Sequence, residues 1–267
     1  MSDELEQIVR NNVTDRLDAG EIVLSMTVRL VQSVEIAQII KSCGYDSFYV
    51  DIEHSPLSLH QTGQICVAAL GAGITPFVRV PSHAPEFVSR VLDAGAMGVI
   101  VPHVSSAEEA RRVVEAAKFP PLGRRSVSAT LPQLQFRSWD LAEARRVLNR
   151  KTTVVAMIEG PDALDQVEEI AATDGVDILF IGTNDFCAEL GIDGQFEHPL
   201  VWEAYQRTIA ACARHGKHVG IGGLSGKPKL LRQFVEMGAR YVSAGGDIQY
   251  LMAAAAERAR LVREFLA

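Results

Sequence analysis

The sequence predicts a single (β/α)8 TIM barrel, and three observations carry that prediction. Eight short, β-rich apolar runs recur along the chain, segments with helical spacing separate them, and 267 residues is the length such a barrel needs. Alternation of buried strand and helix calls for a parallel sheet, and eight repeats in one chain favour closure over an open sheet. No linker, low-complexity tract or domain boundary interrupts the rhythm, so residues 1–267 are expected to form one domain.

The chain opens with MSDELEQIVRNNVTDRL, which is acidic and helical in pattern and is expected to be an N-terminal helix. It lacks the charged-then-apolar build of a signal peptide, and no apolar run approaches the roughly 20 residues of a membrane span. The strands follow as EIVLSMTV near 21, DSFYVDIE near 46, ITPFVRV near 74 and MGVIVPHV near 97. They continue as TTVVAMIE near 152, VDILFIG near 176, KHVGIGG near 217 and ARYVSAGG near 239. Among the helical segments, Ser105 and Glu108 have capping-box spacing, and Pro161 stands where a first helical residue is tolerated. One interval breaks the pattern: FPPLGRRSVSATLPQLQFRSWD, residues 119 to 140, is rich in Pro, Arg and aromatics. A loop of that length is expected to be functional or interfacial, and to bear on substrate selectivity.

Composition excludes several function classes. A hydrophobic fraction of 48% with 22% charged residues is that of a globular protein, and a net charge of -7 with scattered Lys and Arg argues against nucleic acid as a partner. A membrane partner is not indicated either. The four cysteines form no C-x-x-C pair, so neither a zinc site nor a disulfide framework is expected, and a reducing cytoplasm fits best.

In a (β/α)8 barrel the active site lies at the C-terminal ends of the strands. The second run ends in Asp51, Glu53 and His54, the third in Arg79, the fifth in Glu159, and the sixth leads into Asp185. Such charges on apolar strands call for pairing with one another or with a metal. Glu159 and Asp185 make an oxygen-rich pair suited to a hard divalent ion, and a barrel-mouth salt bridge to Arg79 is the structural alternative. An ion there would polarise a keto acid's carbonyl, Arg79 would share the enolate charge, and His54 oriented by Asp51 would act as acid or base. The rival route, a Schiff-base lysine, finds no candidate: Lys41, Lys118, Lys151, Lys217, Lys227 and Lys229 fall outside the strand ends.

Taken in order, DIEHSPLS, PFVRVP, LDAGAMGVIVPHVSSAEEA, MIEGPDAL and DGVDILFIGTNDFCAELG resemble the HpcH/HpaI family of metal-dependent (class II) pyruvate aldolases, from about residue 22 to the C-terminus. The resemblance implies that Glu159 and Asp185 bind Mg2+, Mn2+ or Co2+. It further implies that Arg79 holds the keto oxygen, that His54 and Asp51 form an acid/base dyad, and that backbone amides from Gly182 through Thr183 and Asn184 to Asp185 receive the substrate carboxylate. Asp93 resembles an acidic residue that reaches a neighbouring subunit's site. A homo-hexamer, a trimer of dimers exchanging the helix after Asp247, is likewise implied. Where relatives read G-P-A-D-L-S this chain has GTNDFC, which alters the surroundings of Asp185.

Other residues are assigned structural roles. His103 is expected to satisfy neighbours at the barrel mouth, Glu53 to support Arg79 or a metal's waters, and Cys187 to be a buried filler. The glycine-rich turns 220 to 226 and 243 to 247 follow the last two strands, where barrels often bind phosphate, and they equally serve tight turns. The function expected is a metal-dependent lyase that cleaves a 4-hydroxy-2-oxo acid reversibly to pyruvate, or a close analogue, and an aldehyde. A decarboxylase or CoA-thioester lyase with the same enolate chemistry, and a non-catalytic keto-acid-binding barrel, are the alternatives.

Overall fold

The computed structural model describes residues 2–266. Helices α1 (Ser2–Ile8) and α2 (Asn12–Asp18) precede β1 (Val23–Val28), and α3 (Ile36–Ser42) leads to β2 (Ser47–Asp51). Then come α4 (Leu59–Ala72), β3 (Thr75–Arg79), α5 (Pro85–Asp93), β4 (Gly98–Val101), α6 (Ala107–Ala117), α7 (Leu141–Lys151) and β5 (Thr153–Ile158). After α8 (Pro161–Asp165) and α9 (Val167–Ala171) the chain forms β6 (Ile178–Gly182), α10 (Thr183–Glu189), α11 (Pro199–His215) and β7 (His218–Gly222). It ends with α12 (Pro228–Met237), β8 (Tyr241–Gly246) and α13 (Asp247–Leu266).

The eight parallel strands close in sequence order, β8 pairing with β1, so the expected barrel is present. Two layers of core follow from the strand period of two. Outward residues such as Phe48, Val50, Val78 and Val99 meet the helices. Inward ones, including Tyr49, Phe77, Met157, Phe180 and Tyr241, fill the barrel. The inner layer is built of rings: Tyr241 stacks on Phe77 and meets Phe180 edge-on, each at 5.9 Å between centroids. Glycine makes room for them, since a Cβ on Gly98 would stand 2.6 Å from Phe77 Cε1.

The expected single N-terminal helix is two. Asn11 breaks it by taking an extended backbone, and its side-chain oxygen caps α2 by accepting the N–H groups of Val13 and Thr14. Its amide nitrogen donates to Lys151 O at 2.7 Å and Thr153 Oγ1 at 2.9 Å. This anchor lets Leu5, Val9, Val13 and Leu17 close the N-terminal end of the barrel beneath the aromatic layer. The helical cap before α6 also differs by one position: Ser106 caps the N–H of Glu109, and Glu109 accepts from Ser105 in return. Pro161 does begin α8.

Residues 119 to 140 join α6 to α7 and so lie at the N-terminal end of the barrel, away from the C-terminal rim. Gln133 of this loop donates to Leu92 O and Ala96 O, while Arg125 pairs with Asp93 at 2.6 Å and lies over the Phe119 ring. Helix α13 is the opposite case. Of its 20 residues only Asp247 is buried, and Leu251, Met252 and Phe265 are exposed in the single chain. Among the described residues, no helix is long and apolar enough to cross a membrane.

Because Asn11 serves cap and anchor at once, Asn11→Ala should cost about 2 kcal/mol, measured by urea unfolding. An unchanged midpoint would mean that the apolar plug alone holds α2 in place.

Candidate active site

A cavity of about 440 Å3 opens at the C-terminal rim, lined by residues of every strand end except the fourth. Arg79 and His54 border it on one side, Gly182, Thr183, Asn184 and Asp185 on another, and Gly222, Ser243 and Gly246 close the far wall. No lysine lines it. Lys118 is buried elsewhere, held by Asn149 O, Thr152 O and Asp177 at the start of β5, where burial lowers its pKa.

Register creates the first constellation. On neighbouring parallel strands Asp51 lies opposite Arg79, both pointing into the barrel. Arg79 donates from Nε to Asp51 Oδ1 at 2.9 Å and from Nη2 to Oδ2 at 2.7 Å, a two-pronged bond. Arg29, just past β1, donates its own Nε to Asp51 Oδ2. The backbone N–H groups of Glu53 and His54 complete the set on Asp51 Oδ1. Burial works against the Asp51 charge, but the hydrogen bonds and charge of Arg79, then the charge of Arg29, outweigh it and hold the carboxyl below its usual range. Arg79 is itself held firmly protonated, the Asp51 contact overcoming its burial.

This arrangement revises the expected dyad. Asp51 touches His54 through the main-chain N–H, and the His54 ring instead has Nε2 3.6 Å from Glu53 Oε2. The expected alternative salt bridge from Arg79 to Glu159 or Asp185 is not formed either, because Arg79 Nη1 turns to Glu53 at 3.1 Å. That contact lacks hydrogen-bond alignment, which leaves Glu53 Oε2 buried without a donor.

The second constellation surrounds Glu159. Its Oε2 accepts the His103 N–H at 2.8 Å, and the His103 ring Nδ1 lies 3.3 Å away. His103 holds this position with φ of 54°, a left-handed backbone that costs a β-carbon residue of order 1 kcal/mol. Gly182 lies against the same carboxylate: a Cβ there would stand 2.8 Å from Glu159 Cγ and Oε1. Burial pushes the Glu159 carboxyl up to about 7; the His103 N–H and ring oppose this, and the negative charges of Asp185 and Glu53 add to it. Carboxylates so placed raise one another's proton affinity, and a cation relieves that repulsion. Among the described residues no three His, Cys, Asp or Glu side chains form a closed metal cage. Two carboxylates with the remaining positions left to water and substrate suit a magnesium-like ion, so the residues present fit a hard divalent cation.

The remaining expected residues divide. Thr183 borders the cavity, but its hydroxyl is spent within the protein: it donates to Gly222 O at 2.7 Å and pairs with Tyr205 Oη at 2.8 Å, which accounts for a threonine at this position. Asn184 also borders the cavity, its amide against Gly223. Cys187 is buried in the outer core. Asp93, at the end of α5, is paired with Arg125 and lies outside the cavity of its own chain.

Residues 28–254 match the profile of the family described as HpcH/HpaI aldolase/citrate lyase. The chain belongs to that family. It is 40% identical to a 4-hydroxy-4-methyl-2-oxoglutarate aldolase of Hapsidospora irregularis, over 94% of each chain. A second protein of that description, from Chaetomium globosum, is 35% identical over 94% of this chain and 95% of its own. The crystal structure of an HpcH/HpaI aldolase from Desulfitobacterium hafniense superposes with a TM-score of 0.89, at 33% identity, covering 94% of this chain and 96% of the other. As a member of this family the chain is a carbon–carbon lyase.

Two residues of this HpcH/HpaI family member escaped sequence reasoning. Arg29 continues the inward alternation of Ser25 and Thr27 one step past β1, a signal present in the sequence. Asp247 had no such signal. Its carboxylate accepts the N–H groups of Arg29, Leu30 at 2.8 Å and Val31 at 2.9 Å, so it ties the first strand's exit to the start of α13.

Asp51→Asn should cost about 3 kcal/mol, since two guanidiniums lose their shared counter-charge. An acid held below its usual range stabilises the fold above the unfolded-state pKa of about 4 and loses that contribution as pH falls further. Urea unfolding across pH should therefore show a constant gap between wild type and variant above that point and a narrowing one below it. A gap that widened in acid would contradict the assignment.

Proposed function

We propose that the chain is a divalent-metal-dependent (class II) aldolase that reversibly cleaves a 4-hydroxy-2-oxo acid, with a dicarboxylate as the preferred substrate. The products are pyruvate, or a close analogue, and an aldehyde or 2-oxo partner. The observation that carries this reading is the charge order of the rim: a guanidinium locked in place by Asp51 lines the cavity on one side and Asp185 on another, with the buried Glu159 carboxylate behind Gly182 within the electrostatic influence of Asp185. The two relatives that act on 4-hydroxy-4-methyl-2-oxoglutarate support the dicarboxylate choice.

Arg79 donates to the C2 oxygen of the keto acid and shares the negative charge that gathers there as the C3–C4 bond breaks. His54, half-exposed at the cavity edge, takes the proton of the C4 hydroxyl and returns one to C3 of the resulting enolate, directly or through water. Asp51 positions Arg79 and the main chain of His54. Backbone amides from Gly182 to Asp185 receive the C1 carboxylate, with Asn184 at their side. Glu159 and Asp185 hold Mg2+, Mn2+ or Co2+, which when bound supplies Lewis acidity at the keto oxygen. The free thiols of all four cysteines suit a cytoplasmic setting.

Chelation should abolish retro-aldol activity and added Mg2+, Mn2+ or Co2+ should restore it. Arg79→Ala should slow pyruvate C3 proton exchange on the order of 10²–10³-fold, as loss of one preorganised donor does. Full activity in excess chelator, or carbon dioxide released with no aldehyde or second 2-oxo compound formed, would overturn the reading.

The exposed apolar residues of α13 support a homo-oligomer in which this helix packs on another copy, six chains in all as a trimer of dimers. Light scattering should give a hexamer for the wild type and a smaller assembly for Leu251→Asp; an unchanged mass in the variant would place the interface elsewhere.

A further inference from the structure

The cavity has two arginines, and they are not equivalent. Arg79 gives its Nε and one Nη2 hydrogen to Asp51 and turns Nη1 to Glu53, which leaves it single N–H groups for a keto oxygen rather than an open pair. Arg29 commits only Nε, to Asp51, and among the described residues neither of its terminal nitrogens meets a protein acceptor. Its side chain is 38% exposed at the cavity wall. The other polar cavity-lining groups near the first and last strands are the neutral Thr27, Ser225, Ser243 and Gln249 and the carboxylate of Asp247, whose charge is already met by the N–H groups of residues 29 to 31. Among the described residues no other Arg or Lys lines the cavity, so Arg29 is the lining cation with an open pair of donors.

Arg29 is also held in place. The Asp247 carboxylate accepts the N–H groups of residues 29, 30 and 31, fixing the backbone that carries it, and Asp51 fixes the near end of its side chain. Two buried carboxylates thus aim one guanidinium. A planar fork anchored at Nε presents Nη1 and Nη2 to a carboxylate in the two-pronged geometry that distinguishes arginine from lysine. Preorganisation of this kind lowers the entropy lost on binding.

We propose that Arg29 determines specificity, its two terminal nitrogens receiving the distal carboxylate of a dicarboxylic substrate. Arg79 and Arg29, joined through Asp51, then read the two ends of one molecule: the keto-acid end at Arg79 and the far acid at Arg29. This rests on the aldolase reading for the identity of the substrate. The recognition of a diacid by Arg29 is a separate claim with its own measurement.

The test compares matched five-carbon pairs in Mg2+ buffer. For turnover these are 4-hydroxy-2-oxoglutarate and 4-hydroxy-2-oxopentanoate, which has a methyl group in place of the distal carboxylate. For binding without turnover they are 2-oxoglutarate and 2-oxopentanoate, measured by calorimetry. Wild type should favour the diacid by about 30-fold or more in kcat/KM and in affinity, in line with a charge-assisted pair of hydrogen bonds. Arg29→Met should bring both ratios close to one, and Arg29→Lys should restore part of the preference, with circular dichroism confirming the fold of each variant. Equal losses for both members of a pair would mean that Arg29 merely braces Asp51, and a wild type indifferent to the distal acid would mean that it reads nothing; either overturns the proposal. If wild type turned over neither hydroxy acid, the aldolase reading would fail, and the calorimetric ratio would still decide the role of Arg29.

Discussion

One buried carboxylate organises the catalytic rim. Asp51 is wholly excluded from solvent, yet it accepts from two guanidiniums and two backbone N–H groups. A lone charge there would be prohibitively costly, and each donor offsets part of its desolvation. The consequence runs outward. Arg79 is fixed and permanently charged, the chain turns at residues 53 and 54 so that Glu53 and His54 face the mouth, and Arg29 is drawn over the cavity. A pair replaced by apolar side chains would pack as well, so what this network gives the protein is a set of cations at defined positions.

The other side of the rim works by opposite logic. Glu159 has acidic neighbours and a single N–H donor from a strained His103, and it is kept close by the absence of a side chain at Gly182. Where Asp51 is fully satisfied, Glu159 is left with unanswered negative charge. Satisfied polar networks make rigid scaffolds, and unsatisfied ones await a ligand. The two strand ends therefore divide the labour of an enolate-forming site: one presents fixed positive charge, the other a place for an added cation.

The two ends of the barrel divide labour as well. The N-terminal end is closed by α1, α2 and the loop of residues 119 to 140, tied down by Asn11, Gln133, Arg125 and Asp93. That loop looked functional in the sequence because of its length and its arginines, but within one chain it faces away from the cavity. Its buried members, Phe119, Leu131 and Leu134, show that it contributes to packing. Length and composition alone do not reveal which end of a barrel a loop occupies; its place in the strand–helix order does, since a segment between a helix and the following strand must lie at the N-terminal end.

By itself the sequence determined the barrel, its eight strands, and the residues that stand at their carboxyl ends, because strand period, helix period and the polarity of strand termini are local properties. Asp51, Arg79, Glu159 and Asp185 were all legible in that way, and Arg29 was within reach of the same alternation rule. Partner choice was not. That Asp51 binds two arginines and leaves the His54 ring to Glu53, that Thr183 turns to Tyr205, and that Asp247 holds the loop at Arg29 depend on register between strands and on contacts between residues up to 218 apart. Hydrogen-bond geometry is decided over a few tenths of an ångström by the closed sheet, and only the folded barrel supplies that precision.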